Sequence, residues 1–177
     1  MVKRVLKFLA YTLFFIFALM VFIPKSSVYY LLEEKIKNFD VVISKETLKE
    51  NIFSLGVKNL NLSFKDIEVG VVDEADIELL LFYNRLHFKK IQLSSLVKAY
   101  LPSKVEELQI TYTIFNPLVL KVEGRGEFGE IDAAFDILKR SLRVQLHPTN
   151  MMLKRYKKSM RMFKKSKDGV YIYAKSF

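Results

Sequence analysis

The sequence predicts a mainly β protein (an antiparallel meander, curled sheet or sandwich) with an N-terminal transmembrane helix and one late amphipathic helix. Three observations predict it. An uncharged apolar run lies near the N-terminus, apolar and polar residues alternate through a long series of short segments, and a late basic stretch carries apolar residues at helical spacing. The chain divides into residues 1–25, a short tail and signal anchor, and residues 26–177, a mostly β domain with its basic amphipathic helix at about 150–166.

The 177 residues suffice for an anchor and one domain with its own core. A composition 51% hydrophobic and 14% aromatic, with 6 Gly and 4 Pro, excludes disordered, linker-rich and collagen-like chains. Cysteine is absent, which removes disulfides, thiol redox chemistry and thiolate metal sites. The net charge of +10 is concentrated in two places. Lys3, Arg4 and Lys7 precede the apolar run, and Lys154, Arg155, Lys157, Lys158, Arg161, Lys164, Lys165 and Lys167 fall in one late segment. The remainder is close to neutral, which argues against a nucleic-acid partner, whose footprint spreads over a folded face.

From Phe8 to Ile23 every residue is uncharged, in the run FLAYTLFFIFALMVFI. Phe8, Leu13, Phe14, Phe15, Phe17, Met20, Phe22 and Ile23 are its candidate lipid-facing residues. Counted from Val5, with Lys7 snorkelling, the run spans about 28 Å at ~1.5 Å per residue. That is close to the ~30 Å hydrocarbon thickness of a bilayer. A cleaved signal peptide needs a small-x-small site, and the following IPKSSVYY offers none, so an uncleaved signal anchor is expected. Basic residues on the N-terminal flank, against Lys25 and the mixed Glu33, Glu34, Lys35 and Lys37 beyond, predict a cytoplasmic N-terminus. In a bacterium this makes a single-pass inner-membrane protein with a periplasmic domain. Tyr29 and Tyr30 would lie at the outer interface or pack on the domain.

Ser27 is placed to cap a short helix to about Asn38, with Leu31, Leu32 and Ile36 on one side. The period then changes to two. Leu60, Leu62 and Phe64 alternate with Asn61 and Ser63, and Ile67, Val69 and Val71 follow a turn at Lys65-Asp66. Ile77, Leu79 and Leu81 come next, then Leu86 and Phe88, then Ile91 and Leu93. A brief helix from about Ser95 to Leu101 is stopped by Pro102. Leu108, Ile110, Tyr112 and Ile114 resume the series and Asn116-Pro117 turns it. Leu118, Leu120 and Val122 run into Gly124 and Gly126, followed by Ile131, Ala133 and Phe135, then Leu142, Val144 and Leu146, and finally Val170 to Ala174. Short strands at this spacing with tight turns predict antiparallel pairing.

So many strands, each apolar on one side, leave a face that must close on itself, meet a second sheet, bind a protein or hold something greasy. Leu60, Leu62, Phe64, Ile110, Tyr112 and Phe135 are the candidate lining of an apolar groove. A self-closed core is the plainer alternative for the same residues.

Few residues invite catalytic roles. His87 falls on the polar side of a strand and His147 precedes Pro148, neither at a catalytic or metal-ligating spacing. Glu123, Glu127 and Glu130 flank the segment EGRGEFGE, whose glycines are expected to mark a bulge or sharp hairpin rather than an acid/base pair. Asn61-Leu62-Ser63 matches a glycosylation sequon, but it lies mid-strand. No enzyme, cofactor or metal is expected. In the late segment Thr149 or Asn150 can cap a helix that Asp168-Gly169 ends, with Met152, Tyr156, Met160 and Phe163 along one stripe. Lys154, Arg155, Lys157, Lys158, Arg161, Lys164 and Lys165 would cover its opposite face. This is a candidate surface for an anionic membrane or acidic partner, or a solvated cationic face on a helix packed against the sheet.

A basic tail, a single anchor, the helix VYYLLEEKIKNF, strand units such as VKNLNLSFKDIEVGVVDEADIELLLF, and GRGEFGEIDAAFDI together resemble the type II secretion system protein N family and the wider AsmA-like inner-membrane proteins. The resemblance is one of pattern over most of the chain. It implies an anchored periplasmic β domain that assists a secretion or pilus-type machine, or handles lipid in envelope transport, and it transfers no site residues. Two functional expectations follow. The first is a non-enzymatic accessory subunit, tethered beside the bilayer and recruiting other envelope or secretion-system proteins, with exposed sheet edges available to a partner's strand. The second is a lipid-binding or lipid-transfer module, with phospholipid on the apolar strand faces.

Overall fold

The computed structural model describes residues 2–80 and 82–177. Leu81, expected to continue a strand, lies outside the described residues. Two helices open the chain, α1 (Val2–Phe22) and α2 (Lys25–Lys37). Nine strands follow: β1 (Val41–Ser44), β2 (Thr47–Glu50), β3 (Ser54–Phe64), β4 (Ile67–Leu79), β5 (Tyr83–Leu93), β6 (Lys104–Thr113), β7 (Val119–Gly126), β8 (Gly129–Asp136) and β9 (Ser141–Pro148). Two short helices, α3 (Asn150–Arg155) and α4 (Lys157–Met160), precede β10 (Lys164–Lys165) and β11 (Tyr171–Ser176).

All the strands belong to one antiparallel sheet, ordered β1-β3-β4-β5-β6-β7-β8-β9-β11-β10, with β2 also on β3. The fold is therefore mainly β as expected. Of the three expected forms, the sandwich is excluded, because the described residues form one open sheet and no second one. β1 and β2 follow each other along the free edge of β3, bent at Lys45, whose φ is 65°.

Helix α1 is long and apolar enough to cross a membrane, and none of it is buried against the domain. Thr12 keeps its hydroxyl satisfied by donating to the Phe8 carbonyl at 3.0 Å, as a hydroxyl in an apolar helix must. Helix α2 begins at Lys25, two residues before the expected cap. Pro24 precedes it and no side chain of its own caps it. The carboxylate of Glu50 does that work from β2, accepting from the Ser26 amide at 3.0 Å. A negative charge at a helix N-terminus is favourable there.

The expected segment 67–71 and Ile77 and Leu79 of the next are joined in one thirteen-residue strand, and 86–88 and 91–93 in one of eleven. The cause is a row where the ladder skips a residue in each of four strands: Asn59, Asp73, Lys90 and Glu106. Asn59 and Lys90 adopt φ of 57° and 53°. At that row the alternation slips by one residue, so Leu55 and Val57 are followed by Leu60, and Phe88 by Ile91, all on the same face. In β4 the slip reverses one expectation. Gly70 and Val72 are buried, whereas Ile67 is exposed and Val69 and Val71 lie on the opposite side from them. Lys65 and Asp66, with φ of 50° and 60°, form the expected two-residue hairpin turn. The helix expected at 95–101 is a single 3-10 turn, Val97–Ala99.

The late helix expected at 150–166 is instead broken in two at Tyr156, whose φ of −108° and ψ of 38° are not helical. Thr149 caps the first piece as expected, accepting from the Met152 amide at 3.2 Å. A straight seventeen-residue helix would be about 25 Å long and would carry Phe163 away from the sheet. Folding back lets Met152 and Met160 bury, sets Phe163 5.9 Å from the Tyr173 ring, and pairs Lys164-Lys165 with β11. Tertiary burial has outweighed the i, i+4 stripe.

One core cluster joins Tyr29 of α2 to Leu55, Val57, Leu60 and Val72, then to Ile91, Val105, Phe128 and Leu146, and finally to Met152 and Met160. It lies on one side of the sheet. Helix α2 packs over β1–β3 at one flank and α3 over β9 at the other.

A candidate apolar face and its surroundings

Successive strands place apolar residues opposite one another in unbroken rows. One row runs Val57, Ala75, Phe88, Leu108, Gly124, Ile131, Leu146 and Tyr171. A parallel row, nearer the end at which α1 arrives, runs Leu55, Ile77, Leu86, Ile110, Val122, Ala133, Val144 and Tyr173. Cross-strand neighbours of this kind are the unit of sheet stabilisation. Here they also form a single apolar face the width of the sheet.

The other face is charged, and its order is equally regular. Lys58, Glu74, Lys89, Glu107, Arg125, Glu130 and His147 oppose each other in turn across seven strands, alternating in sign until the histidine. His87 Nε2 lies 2.5 Å from Glu107 Oε1, and Arg125 donates to the same carboxylate at 3.3 Å. The histidine bond holds the Glu107 carboxyl below the usual carboxylate range. Arg85 pairs with Glu78, and Lys89 reaches Asp76 at 3.9 Å. Charge pairing of this kind suits a face in water.

The six groove candidates share the apolar face but divide by cover. Leu60 is closed off within the core cluster at 2% exposure, and Leu62 packs against that cluster. Phe64 is 46% exposed at the β3–β4 hairpin, with Lys65 over its ring at 5.6 Å. Ile110, Tyr112 and Phe135 are half-buried in the middle strands and are not part of the core cluster. The expected groove thus resolves into a sealed flank and an open centre.

At the far end of β8 and β9 the same face runs into a cavity of about 420 Å³ lined by Tyr100, Leu101, Phe128, Ile131, Leu146, Met152, Ser159, Met162 and Phe163. Its lining is almost wholly apolar. Ser159 turns its hydroxyl away to donate to the Tyr100 carbonyl at 2.6 Å. Sequence reasoning missed Tyr100, Leu101 and Phe128, since they come from a turn and a hairpin tip with no alternation to mark them.

No family model matches the chain, and no curated protein or solved structure matches it. The site therefore rests on its own geometry.

Lys154, Arg155, Lys157, Lys158, Arg161, Lys164 and Lys165 are all exposed, as the sequence predicted, but they form a bent strap rather than one helix face. The strap follows the last residue of β9 and so lies at the end of the strands away from α1. An eight-residue strand spans roughly 26 Å. Lys158 sits 5.7 Å over the Tyr100 ring beside the cavity.

Glu123 and Asp132 stand directly opposite one another in β7 and β8, both exposed, and Glu130 opposes Arg125. EGRGEFGE is the expected hairpin: Gly126 pairs with Gly129 around Glu127-Phe128. Gly126 is required because a Cβ there would meet the Lys104 carbonyl oxygen at 2.7 Å. Among the described residues, no group of three or more His, Asp or Glu is placed to hold a metal ion.

Proposed function

We propose that the chain is a membrane-anchored, non-enzymatic lipid-binding module. α1 holds it in a bacterial inner membrane, its N-terminus is cytoplasmic and its domain periplasmic, and the apolar sheet face accepts acyl chains. One observation carries the reading. The apolar face extends from the end where α1 arrives to the far cavity, and Ile110, Tyr112 and Phe135 in its middle strands stay half-open. A face of this size left to water is unfavourable, and a lipid chain from the adjacent bilayer is the occupant in supply. The resemblance to AsmA-like proteins points the same way.

The second reading, an accessory subunit of a type II secretion or pilus-type assembly, is favoured by the cationic strap. Seven exposed basic residues roughly a strand's length from α1 suit an acidic protein partner better than the anchoring bilayer. The sheet edges lend it less support. β1 and β2 are four residues each and β10 is two lysines, the kind of short, charged edge that resists strand addition.

The test is photo-crosslinking of the full-length protein in membranes that contain a phospholipid with a diazirine on its acyl chain. Adducts at Ile110, Tyr112 or Phe135 support lipid binding. Adducts confined to α1 exclude it and leave the assembly role.

A further inference from the structure

We propose that the turns at the anchor end of the sheet insert into the same bilayer that α1 crosses, so that the domain stands on the membrane on a rim of apolar tips. The inference rests on α1 being a membrane span and adds a second contact.

Because the strands alternate in direction, the connections fall into two sets at opposite ends. One set comprises Ile52 and Phe53 before β3, Phe82 between β4 and β5, Phe115 between β6 and β7, Leu138 between β8 and β9, and the terminal Phe177 after β11. Backbone hydrogen bonds align neighbouring members of this set. Ile114 donates to Phe82 at 3.2 Å, Ile137 to Leu118 at 2.8 Å, and Phe177 to Arg140 at 2.9 Å.

This is the end at which the anchor arrives. The rings of Phe17 in α1 and Phe53 lie 6.2 Å apart, and the Ser26 amide is bound to Glu50. Turns facing water favour Gly, Asn, Asp and Ser at their tips. Here, beside Asn51 and Asn116, the turns carry large apolar residues, with Phe115 at 85% exposure and Leu138 at 71%. The basic residues within this set are Lys139, which pairs with Asp136 at the end of β8 at 3.6 Å, and Arg140, of the sign that anionic headgroups attract. Connections at the far end also expose apolar side chains: Leu96 and Tyr100 stand beside Lys98, and the others lie among the charges of the Lys65-Asp66 turn and the cationic strap. Continuity with the anchor selects the bilayer as the occupant. Insertion would also hold the strands upright and place the open centre of the apolar face just above the lipid.

The chain contains no tryptophan, so single-tryptophan variants report without background. Full-length Phe115→Trp and Leu138→Trp are reconstituted into phosphatidylcholine–phosphatidylglycerol vesicles with brominated acyl chains. Phe39→Trp marks the far end and Phe14→Trp marks α1. The inference predicts blue-shifted emission and several-fold stronger bromolipid quenching at positions 115 and 138 than at 39. Quenching at 14 with neither 115 nor 138 above 39 overturns it while the anchor stands. An unquenched Phe14→Trp overturns the anchor itself, and this inference with it. Using two tips guards against one variant failing to fold, which far-ultraviolet circular dichroism checks.

Discussion

The Ser26 amide donates to Oε1 of Glu50 at 3.0 Å, so the first turn of α2 is capped by a strand twenty-four residues further along the chain. Beside it Lys25 is buried, its Nζ donating to the Ile23 carbonyl at 3.3 Å just beyond the end of α1. Anchor, helix and sheet thus meet at one small junction. Glu50→Ala should leave the sheet intact but free this junction. Trypsin should then cut after Lys25 several-fold faster in nanodisc-embedded protein, and the Ser26 amide should exchange faster. Unchanged cleavage and exchange would show that the junction is held by packing alone.

Glu107 supplies a pH dependence with a defined sign. Its carboxyl is held low, chiefly by His87 and then by the nearby Arg125. A group depressed on folding contributes stability above its unfolded value, and that contribution is lost as pH falls through the folded value. The melting temperature should therefore drop on acidification below about pH 4.3, the ordinary glutamate value. Glu50, lowered by the Ser26 amide, acts in the same direction. Melting the parent and Glu107→Gln between pH 7 and 3 isolates the first effect: the variant should lose less on acidification. Parallel curves would contradict it.

Tyr29 is buried in the core cluster, and among the described residues its hydroxyl has no hydrogen-bond partner. Burial pushes the pKa of the phenol well above its ordinary value, so it stays neutral there. Tyr29→Phe removes an unsatisfied group and should be neutral or stabilising by up to about 1 kcal/mol. Tyr29→Ala should cost about 3–5 kcal/mol through the cavity it leaves. Denaturant unfolding in mild detergent distinguishes them, and a marked loss in Tyr29→Phe would mean that the hydroxyl has a partner.

Two glycines with positive φ should respond differently to alanine. Gly129, at φ 113°, has no room, since a Cβ would stand 1.9 Å from the His147 carbonyl oxygen. Gly169, at φ 82°, has nothing within 4 Å of that position. Gly169→Ala should cost about 1–2 kcal/mol of backbone strain, whereas Gly129→Ala should break the β8–β9 pairing and cost well beyond that. Equal melting temperatures would refute the distinction.

Much of this was legible in the sequence. Alternation located the middle strands, the apolar run located α1, and the cap was narrowed to Thr149 or Asn150, of which Thr149 serves. The row at Asn59, Asp73, Lys90 and Glu106 was misread, because a one-residue slip splits a long strand into two apparent ones and, in β4, exchanges its faces. The bent strap was misread because periodicity carries no information about where a helix must stop to bury Met160 and Phe163. Legible least of all were the cavity and the apolar rim. Topology brings Tyr100 and Phe128 together at the cavity and sets Phe115 and Leu138 side by side at the opposite end, and isolated apolar residues in turns carry no local signature.

The most direct test of the lipid-binding account is native mass spectrometry of the full-length protein extracted from its membrane, beside the Ile110→Asp/Tyr112→Asp variant. Both keep α1, so annular lipid is common to the two. The account predicts phospholipid at a defined ratio that survives detergent exchange in the parent and is lost from the folded variant. Equal lipid in both, or a lipid-free parent that carries an acidic assembly subunit instead, would contradict it.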